Sequence, residues 1–415
     1  MIWFLSRGKK KRTGQRRIPA EMPALPGPSL DSGAARRALR AAFTPTQPVR
    51  PGHSFTGRNA QVARVLGAIE IERAHVVLYA DRGRGKTSLT NILAHTLRAR
   101  NHMVARFVCA VESDFETICR GLARDLPRSF LAVPARDAED LEGCEAALPA
   151  GRLQPRDVVA LAGRLTGRSL VLIVDEFDRV QDDGTRTRLA DTIKQVSDRG
   201  VPIAFLIVGV SDSLEELFGR HPSIQRSIVP LPLPLLTDAE IEAVLVQGAR
   251  GSGLSFRPAA IGRIRDLARG VPYVAHLLAL HAGNAALDRG STNVAVEDVA
   301  AAVRLAVEQA DPRVASLYDL LTDAGHDREM VVTLSNIAAG TQDEFGRFRV
   351  RRSEGDFIIA GHAVRSEAWR RMLEAGVVRR VPGPDTAVHG FTEATFRNYV
   401  LYRTVHQEAE AVPAE

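Results

Sequence analysis

Nine consecutive residues carry the clearest chemistry in this 415-residue chain. Ala80-Asp81-Arg82-Gly83-Arg84-Gly85-Lys86-Thr87-Ser88 follow the apolar run Val76-Val77-Leu78-Tyr79 and open a helical pattern that continues to Arg98. Strand, glycine-rich turn and helix, in that order, wrap main-chain N–H groups around phosphate oxygens. Gly83 and Gly85 let the backbone curl without Cβ clashes. The helix start adds partial positive charge. In such a loop Lys86 reaches the β- and γ-phosphate oxygens, and the Thr87 hydroxyl ligates Mg²⁺. The pattern GxxxxGK[ST] is broken at its first position by Ala80. Alanine fits there if its φ stays negative.

A carboxylate pair supplies the second half of the chemistry. Asp175 and Glu176 directly follow Leu170-Val171-Leu172-Ile173-Val174, a continuous β-rich run. Parallel sheets bind ligands at the carboxyl ends of their strands. Asp175 is therefore expected to hold Mg²⁺, and Glu176 to orient or deprotonate an attacking water. Each motif alone has a bland reading, a chance Gly-Lys-Thr at a helix start or an acidic helix cap. Their succession in one chain points to a nucleoside triphosphate.

The elements that must position these residues alternate. Strands are expected at Val76–Tyr79, Met103–Ala110, Ser169–Val174 and Ile203–Val210, separated by helical patterns. That alternation predicts βαβ units and a parallel sheet buried on both faces. From Thr237 the chain turns helical. Thr237-Asp238-Ala239-Glu240 is a capping-box start, and helices fit Pro258–Ala268, Pro272–Ala282 and Val296–Gln309. Past Asp311, helices at Val314–Leu321, Glu329–Ala339 and Ala363–Ala375 precede a hairpin of Val377–Val381 and His389–Phe391 turning at Pro382-Gly383. This is the order of a winged helix. The expected fold class is α/β: a P-loop parallel-sheet ATPase core over 53–235, an α-helical lid over 236–310 and a C-terminal winged-helix domain over 311–415.

With those motifs in place, the chain resembles AAA+/STAND-type P-loop ATPases of the replication-initiator-like and archaeal-type group. Phe55-Thr56-Gly57-Arg58 resembles their FxGR box, Leu172 to Arg179 their Walker B segment, and Gly270-Val271-Pro272-Tyr273 the GxP lid motif. The resemblance spans roughly residues 53–285. It implies ATP as the nucleotide, as does the absence of an Asn-Lys-x-Asp guanine-reading motif. It also implies that Phe55, Gly57 and Arg58 lie near the adenine, that Pro272 reads the nucleotide state, and that a sensor falls at Ser211 or Asp212. Ser211 is the better donor, because an ionised Asp cannot donate to a phosphate oxygen. Arg226 stands where an arginine finger would reach a neighbouring subunit of a homo-oligomer; a helix-surface arginine is the alternative.

Composition sets the remaining bounds. Hydrophobic residues make up 45% and charged residues 25%, an ordinary balance for a soluble protein. No stretch is long and apolar enough for a membrane span, and a cytoplasmic location is expected. Cys109, Cys119 and Cys144 have no CxxC spacing and read as reduced thiols. The net charge of +6 is uneven: residues 1–50 hold eleven Lys/Arg and two Asp/Glu. Residues 1–52 are therefore expected to be a basic, disordered tail, either a solubilising extension or an arm for an anionic partner. Residues 311–415 hold thirteen Arg and sixteen Asp/Glu. Their arginine groups (Arg365, Arg370, Arg371, Arg379, Arg380; Arg347, Arg349, Arg351, Arg352) suit phosphate contacts, yet the acidic balance suits a protein partner equally. The functional expectation is an ATP-binding and ATP-hydrolysing switch signalling through lid and winged helix. The alternative is a DNA-associated ATPase that holds duplex DNA through the winged helix or the basic tail.

Overall fold

The computed structural model describes residues 32–48, 57–127, 144–164, 169–219, 224–382 and 385–411. Phe55, most of the tail expected at 1–52 and the Gly383 turn lie outside them.

The described chain begins with α1 (Ser32–Ala42), followed by α2 (Asn59–Glu70), β1 (His75–Tyr79), α3 (Lys86–Ala99), β2 (Met103–Val108), α4 (Phe115–Arg124), α5 (Pro155–Gly163), β3 (Leu170–Asp175), α6 (Asp183–Asp198), β4 (Ile203–Gly209), α7 (Leu214–Phe218) and β5 (Ile228–Pro232). The five strands form one parallel sheet in the order β2-β3-β4-β1-β5. β3 and β4 are buried at every position, as their unbroken apolar runs require with helices on both faces. β5 was not legible in the sequence. Its Pro230 and Pro232 argue against a central strand, but β5 is an edge that pairs only with β1, where a missing N–H is tolerated.

The helical part follows: α8 (Asp238–Ser252), β6 (Ser255–Phe256), α9 (Pro258–Ala268), α10 (Pro272–Asp288), β7 (Asn293–Val294) and α11 (Val296–Glu308). The capping box at its start is formed. The Thr237 amide donates to Glu240 Oε2 at 2.8 Å, and the Glu240 amide donates to Thr237 Oγ1 at 3.3 Å.

α1 corrects the expectation of a disordered tail. Ala35, Leu39 and Phe43 recur at helical spacing and are buried against the α8–α11 bundle. Arg36 donates to Asn284 Oδ1 at 3.2 Å and pairs with Asp288 at 2.6 Å. Averaging the charge of residues 1–50 hid this amphipathic stretch, whose arginines and apolar residues fall on different faces. Its packing depends on Gly248 of α8, where a Cβ would run into the Phe43 ring. A helical Gly→Ala change ordinarily gains about 1 kcal/mol, and overpacking a fitted site costs about 1–3 kcal/mol. Gly248→Ala is therefore expected to lower stability by about 1 kcal/mol net, read as a lower Tm. An unchanged or raised Tm would show that α1 moves aside freely.

The C-terminal part comprises α12 (Pro312–Thr322), α13 (Arg328–Ala339), β8 (Arg347–Ser353), β9 (Asp356–Ile359), β10 (His362–Val364), α14 (Ser366–Glu374), β11 (Val378–Arg380), β12 (Val388–Phe391) and α15 (Ala394–Ala411). The strands form an antiparallel sheet in the order β10-β9-β8-β12-β11, compatible with a winged-helix domain. Two differences from expectation stand out. The β8–β10 meander was unforeseen, and residues 363 and 364 belong to β10 rather than to the third helix. In addition, this part shares one continuous apolar core with the lid, with α15 packed on α11 and α9, so the boundary expected near residue 310 does not separate two cores. The three cysteines are free and buried. No described helix is long and apolar enough to cross a membrane.

Candidate functional site

β1 delivers the chain to the glycine-rich loop and α3 leaves from it, so the loop's shape is decided at two points. Gly83 and Gly85 have φ of 78° and 85°, a region that L side chains rarely adopt. Ala80 is absent from the positive-φ residues, which is why alanine is tolerated in the glycine position. Lys86 Nζ donates to the carbonyl oxygens of Ala80 and Asp81, each at 2.8 Å. The ammonium is thus folded back over its own loop. Burial lowers its pKa to about 8, against the raising effect of Asp178 and Asp81. Arg84 is buried and pairs with Asp81.

β3 ends at Asp175, which is buried and accepts from Arg106 Nη2 at 2.5 Å and from the Glu176 amide at 2.9 Å. Arg106 also donates to Asn91 Oδ1 of α3 at 2.6 Å, tying the loop helix to the β3 carboxylate. Glu176 sits at φ 54°, half-exposed, and pairs with Arg179 at 3.0 Å. Asp178 Oδ1 accepts from the Val210 amide at 2.7 Å and so joins the loops after β3 and β4. The Cys109 thiol is pushed up to about 12, by burial first and then by the Asp175, Asp178 and Glu176 carboxylates, and stays protonated.

These groups share one cavity of about 1000 Å³ between the sheet and the helical lid, within the range of small-molecule sites. Arg82 through Ser88, Asp175, Glu176 and Asp178 line one side, and Pro272 and Tyr273 of α10 the other. The Tyr273 amide approaches the Gly83 carbonyl at 3.4 Å. A Cβ on Gly83 would rest on Val271 and Tyr273, so lid and loop are in contact. The cradle of N–H groups, one lysine, one hydroxyl and a buried carboxylate is the donor set that a magnesium-bound triphosphate needs.

Other expected residues fall elsewhere. Arg58 is buried at the cavity wall, donates to the Pro234 oxygen at 2.7 Å and has its pKa lowered to about 10 by burial. Gly57, at φ 87°, packs on Glu240 and Leu236 rather than lining the cavity. The far end of the cavity is instead walled by Thr44–Pro48 and by His276 of α10. The Thr44 amide donates to His276 Nδ1 at 3.3 Å, and burial lowers this imidazole to about 4, keeping it neutral. Ser211 does not line the cavity. Its Oγ lies 2.7 Å from the Ser213 oxygen and from Glu216 Oε2. Arg226 is exposed and away from the cavity lining.

The sequence reading missed Arg106, Asp178, Arg179, His276 and the Thr44–Pro48 strap. Asp178 and Arg179 lay in the motif as written, and Arg106 was detectable as a lone cation in a strand. The strap was not detectable, because its place depends on how α1 docks.

Residues 54–207 match the family model for the AAA ATPase domain. No curated protein matches the chain. Among solved structures, a Walker-type ATPase of Pyrococcus abyssi superposes with a TM-score of 0.53 at 13% identity, over 87% of this chain and 99% of its own. The ORC2 protein of Aeropyrum pernix, in ADPNP–ADP complexes, gives 0.49 at 16% identity over 90% and 98%. A RuvB point mutant of Thermotoga maritima gives 0.47 at 15% identity over 88% and 100%. At 13% identity the likeness to the Pyrococcus abyssi ATPase speaks to the fold alone. The match to the AAA ATPase domain over residues 54–207 takes in both the P-loop and the β3 carboxylates.

Proposed function

We propose that this protein is an ATP-binding and ATP-hydrolysing switch working in the cytoplasm. The observation that carries this reading is the convergence of the P-loop, Asp175, Glu176 and the lid residue Pro272 on one cavity. Lys86 and the N–H groups of residues 82–88 hold the phosphates, and the Thr87 hydroxyl and Asp175 hold Mg²⁺. The metal, when bound, neutralises charge on the transferred phosphoryl group. Glu176 orients and deprotonates the attacking water once its pairing with Arg179 opens. Pro272 and Tyr273 report occupancy to the lid, and because lid and C-terminal part share a core, reorientation of one carries the other. Arg226 acts only if subunits assemble so that it reaches a neighbour's nucleotide. The output is then a protein partner held by the C-terminal part.

A second reading, an ATPase that binds duplex DNA, is favoured by one observation. Alternation along β8 leaves Arg349 and Arg351 exposed on the face opposite the buried Phe348, where Arg351 and an Arg349 released from its 2.7 Å pair with Asp385 suit a phosphate backbone. ATPase activity measured with and without duplex DNA at two salt concentrations separates the two. Stimulation that fades with salt is expected for the DNA reading. Activity indifferent to DNA supports the protein-partnered switch, and no ATP turnover under any condition overturns both.

A further inference from the structure

Arg106 stands behind the two groups assigned to the metal. It lies in the edge strand β2, in register with Ile173 of β3. Its Nη2 donates to Asp175 Oδ2 at 2.5 Å, and its Nη1 donates to Asn91 Oδ1 at 2.6 Å. Asn91 is four residues beyond Thr87 in α3, so the two share a helix face one turn apart. A single guanidinium thus ties the end of β3 to the Thr87 face of α3. The pair is sheltered: the Asp175 side chain is 4% exposed and that of Arg106 25%.

Lone pairs remain on both Asp175 oxygens, because Oδ1 takes the Glu176 amide and Oδ2 the guanidinium, one donor each. Metal ligation is therefore open in geometry, and what Arg106 changes is charge. Glu176 pairs with Arg179 at 3.0 Å, and Asp178 lies within electrostatic reach of Lys86. Asp175, Glu176 and Asp178 thus each face a cation. A bare divalent ion entering here meets no surplus of negative charge, and it meets a guanidinium at the carboxylate it needs. An ion that arrives on a triphosphate brings negative charge with it. Without the guanidinium, a buried carboxylate would stand unpaired, and a divalent ion would compensate it.

Resting on the ATP reading above, we propose that Arg106 is a positioning residue that acts as the resident counter-charge of Asp175, so that this carboxylate takes a divalent cation only together with the nucleotide's phosphates. Metal and triphosphate then enter as one ligand. Free divalent ions do not compete for the site between turnovers.

The test uses Mn²⁺ as the probe, titrated into the full-length, nucleotide-free protein and followed by the EPR signal of the unbound ion. Arg106→Gln is expected to bind Mn²⁺ about tenfold or more tightly than wild type. Adding Asp175→Asn to that variant is expected to abolish the gain. Asp175→Asn alone is expected to change the wild-type affinity by less than about twofold, the non-additivity that marks a coupled pair. Arg106→Lys keeps the charge but not the planar fork, and is expected to gain less than about threefold. An arginine with a merely structural role would lower the Tm on removal without raising metal affinity. Unchanged Mn²⁺ affinity in Arg106→Gln overturns the proposal, as does a gain that survives Asp175→Asn. Should Arg106→Gln fail to fold, Asp175→Asn alone decides. A loss beyond about twofold in that variant would mean that Asp175 already holds free metal beside Arg106, and the proposal falls. Binding of an ATP analogue to wild type separates the two ideas: if none binds, the ATP reading fails, while the Mn²⁺ titrations still decide the role of Arg106.

Discussion

Replacing Lys86 with alanine is expected to weaken ATP binding by about 2–4 kcal/mol, on the order of 30- to 700-fold in Kd. The ammonium is the loop cation that stands at the start of α3 and, unlike the exposed Arg82, is half-buried in the cavity. Two of its three donors are held by the Ala80 and Asp81 carbonyls, which leaves one for a phosphate oxygen. Gly83, Gly85 and Arg84 also shape the loop, so a Tm measured beside the Kd separates any loss that comes through the two Lys86–carbonyl bonds. The lowered pKa adds a signature. With the free lysine near 8 and a phosphate-bound lysine higher, the bound state carries the extra proton above that pH. ATP affinity of wild type should therefore fall as pH rises through about 8, and that limb should be missing in the alanine variant. Titration of a fluorescent ATP analogue across pH 6.5–9.5 reads both effects. A Kd within about threefold of wild type would remove Lys86 from the phosphate site.

Glu176→Gln is expected to leave ATP affinity near wild type and to slow hydrolysis by roughly 10²-fold or more. Glutamine preserves the size of the side chain, and the backbone contact that fixes this residue, its amide on Asp175 Oδ1, is untouched. What disappears is the carboxylate able to take a proton. Glu176 is also held at φ 54°, an uncommon conformation for a residue other than glycine that aims the side chain and costs roughly 1–3 kcal/mol. Single-turnover hydrolysis beside equilibrium binding distinguishes the outcomes. If turnover is unchanged, the base lies elsewhere. If binding is lost instead, Glu176 serves the architecture of the loop through its Arg179 pair.

The chemistry of the site was legible from sequence because it is written locally. A P-loop is a contiguous run whose glycines, lysine and threonine need only the strand before and the helix after. The β3 carboxylates announce themselves by following five apolar β-formers. Parallel strands buried on both faces leave the same plain signal, and four of the five core strands were anticipated within a residue or two. Where a local rule and a tertiary rule conflict, the sequence misleads. β5 carries two prolines and survives as an edge. β8 alternates arginine with apolar residues, and the arginines drew attention to charge when the alternation was the strand signal. α1 lay inside a basic stretch whose average charge concealed an apolar face.

By itself, then, the sequence determined the phosphate loop, its magnesium-side carboxylates and the parallel sheet beneath them, since each depends on neighbours along the chain. Tertiary structure alone decided which residues close the far end of the cavity, where the Thr44–Pro48 strap and His276 stand in place of Gly57. It also decided that Ser211 turns away, that Arg106 holds Asp175, and that Arg379 meets Asp212 across 167 positions of sequence. Those contacts join elements far apart in the chain, and no spacing rule encodes a pairing whose geometry exists only after the sheet, the lid and the C-terminal strands have packed.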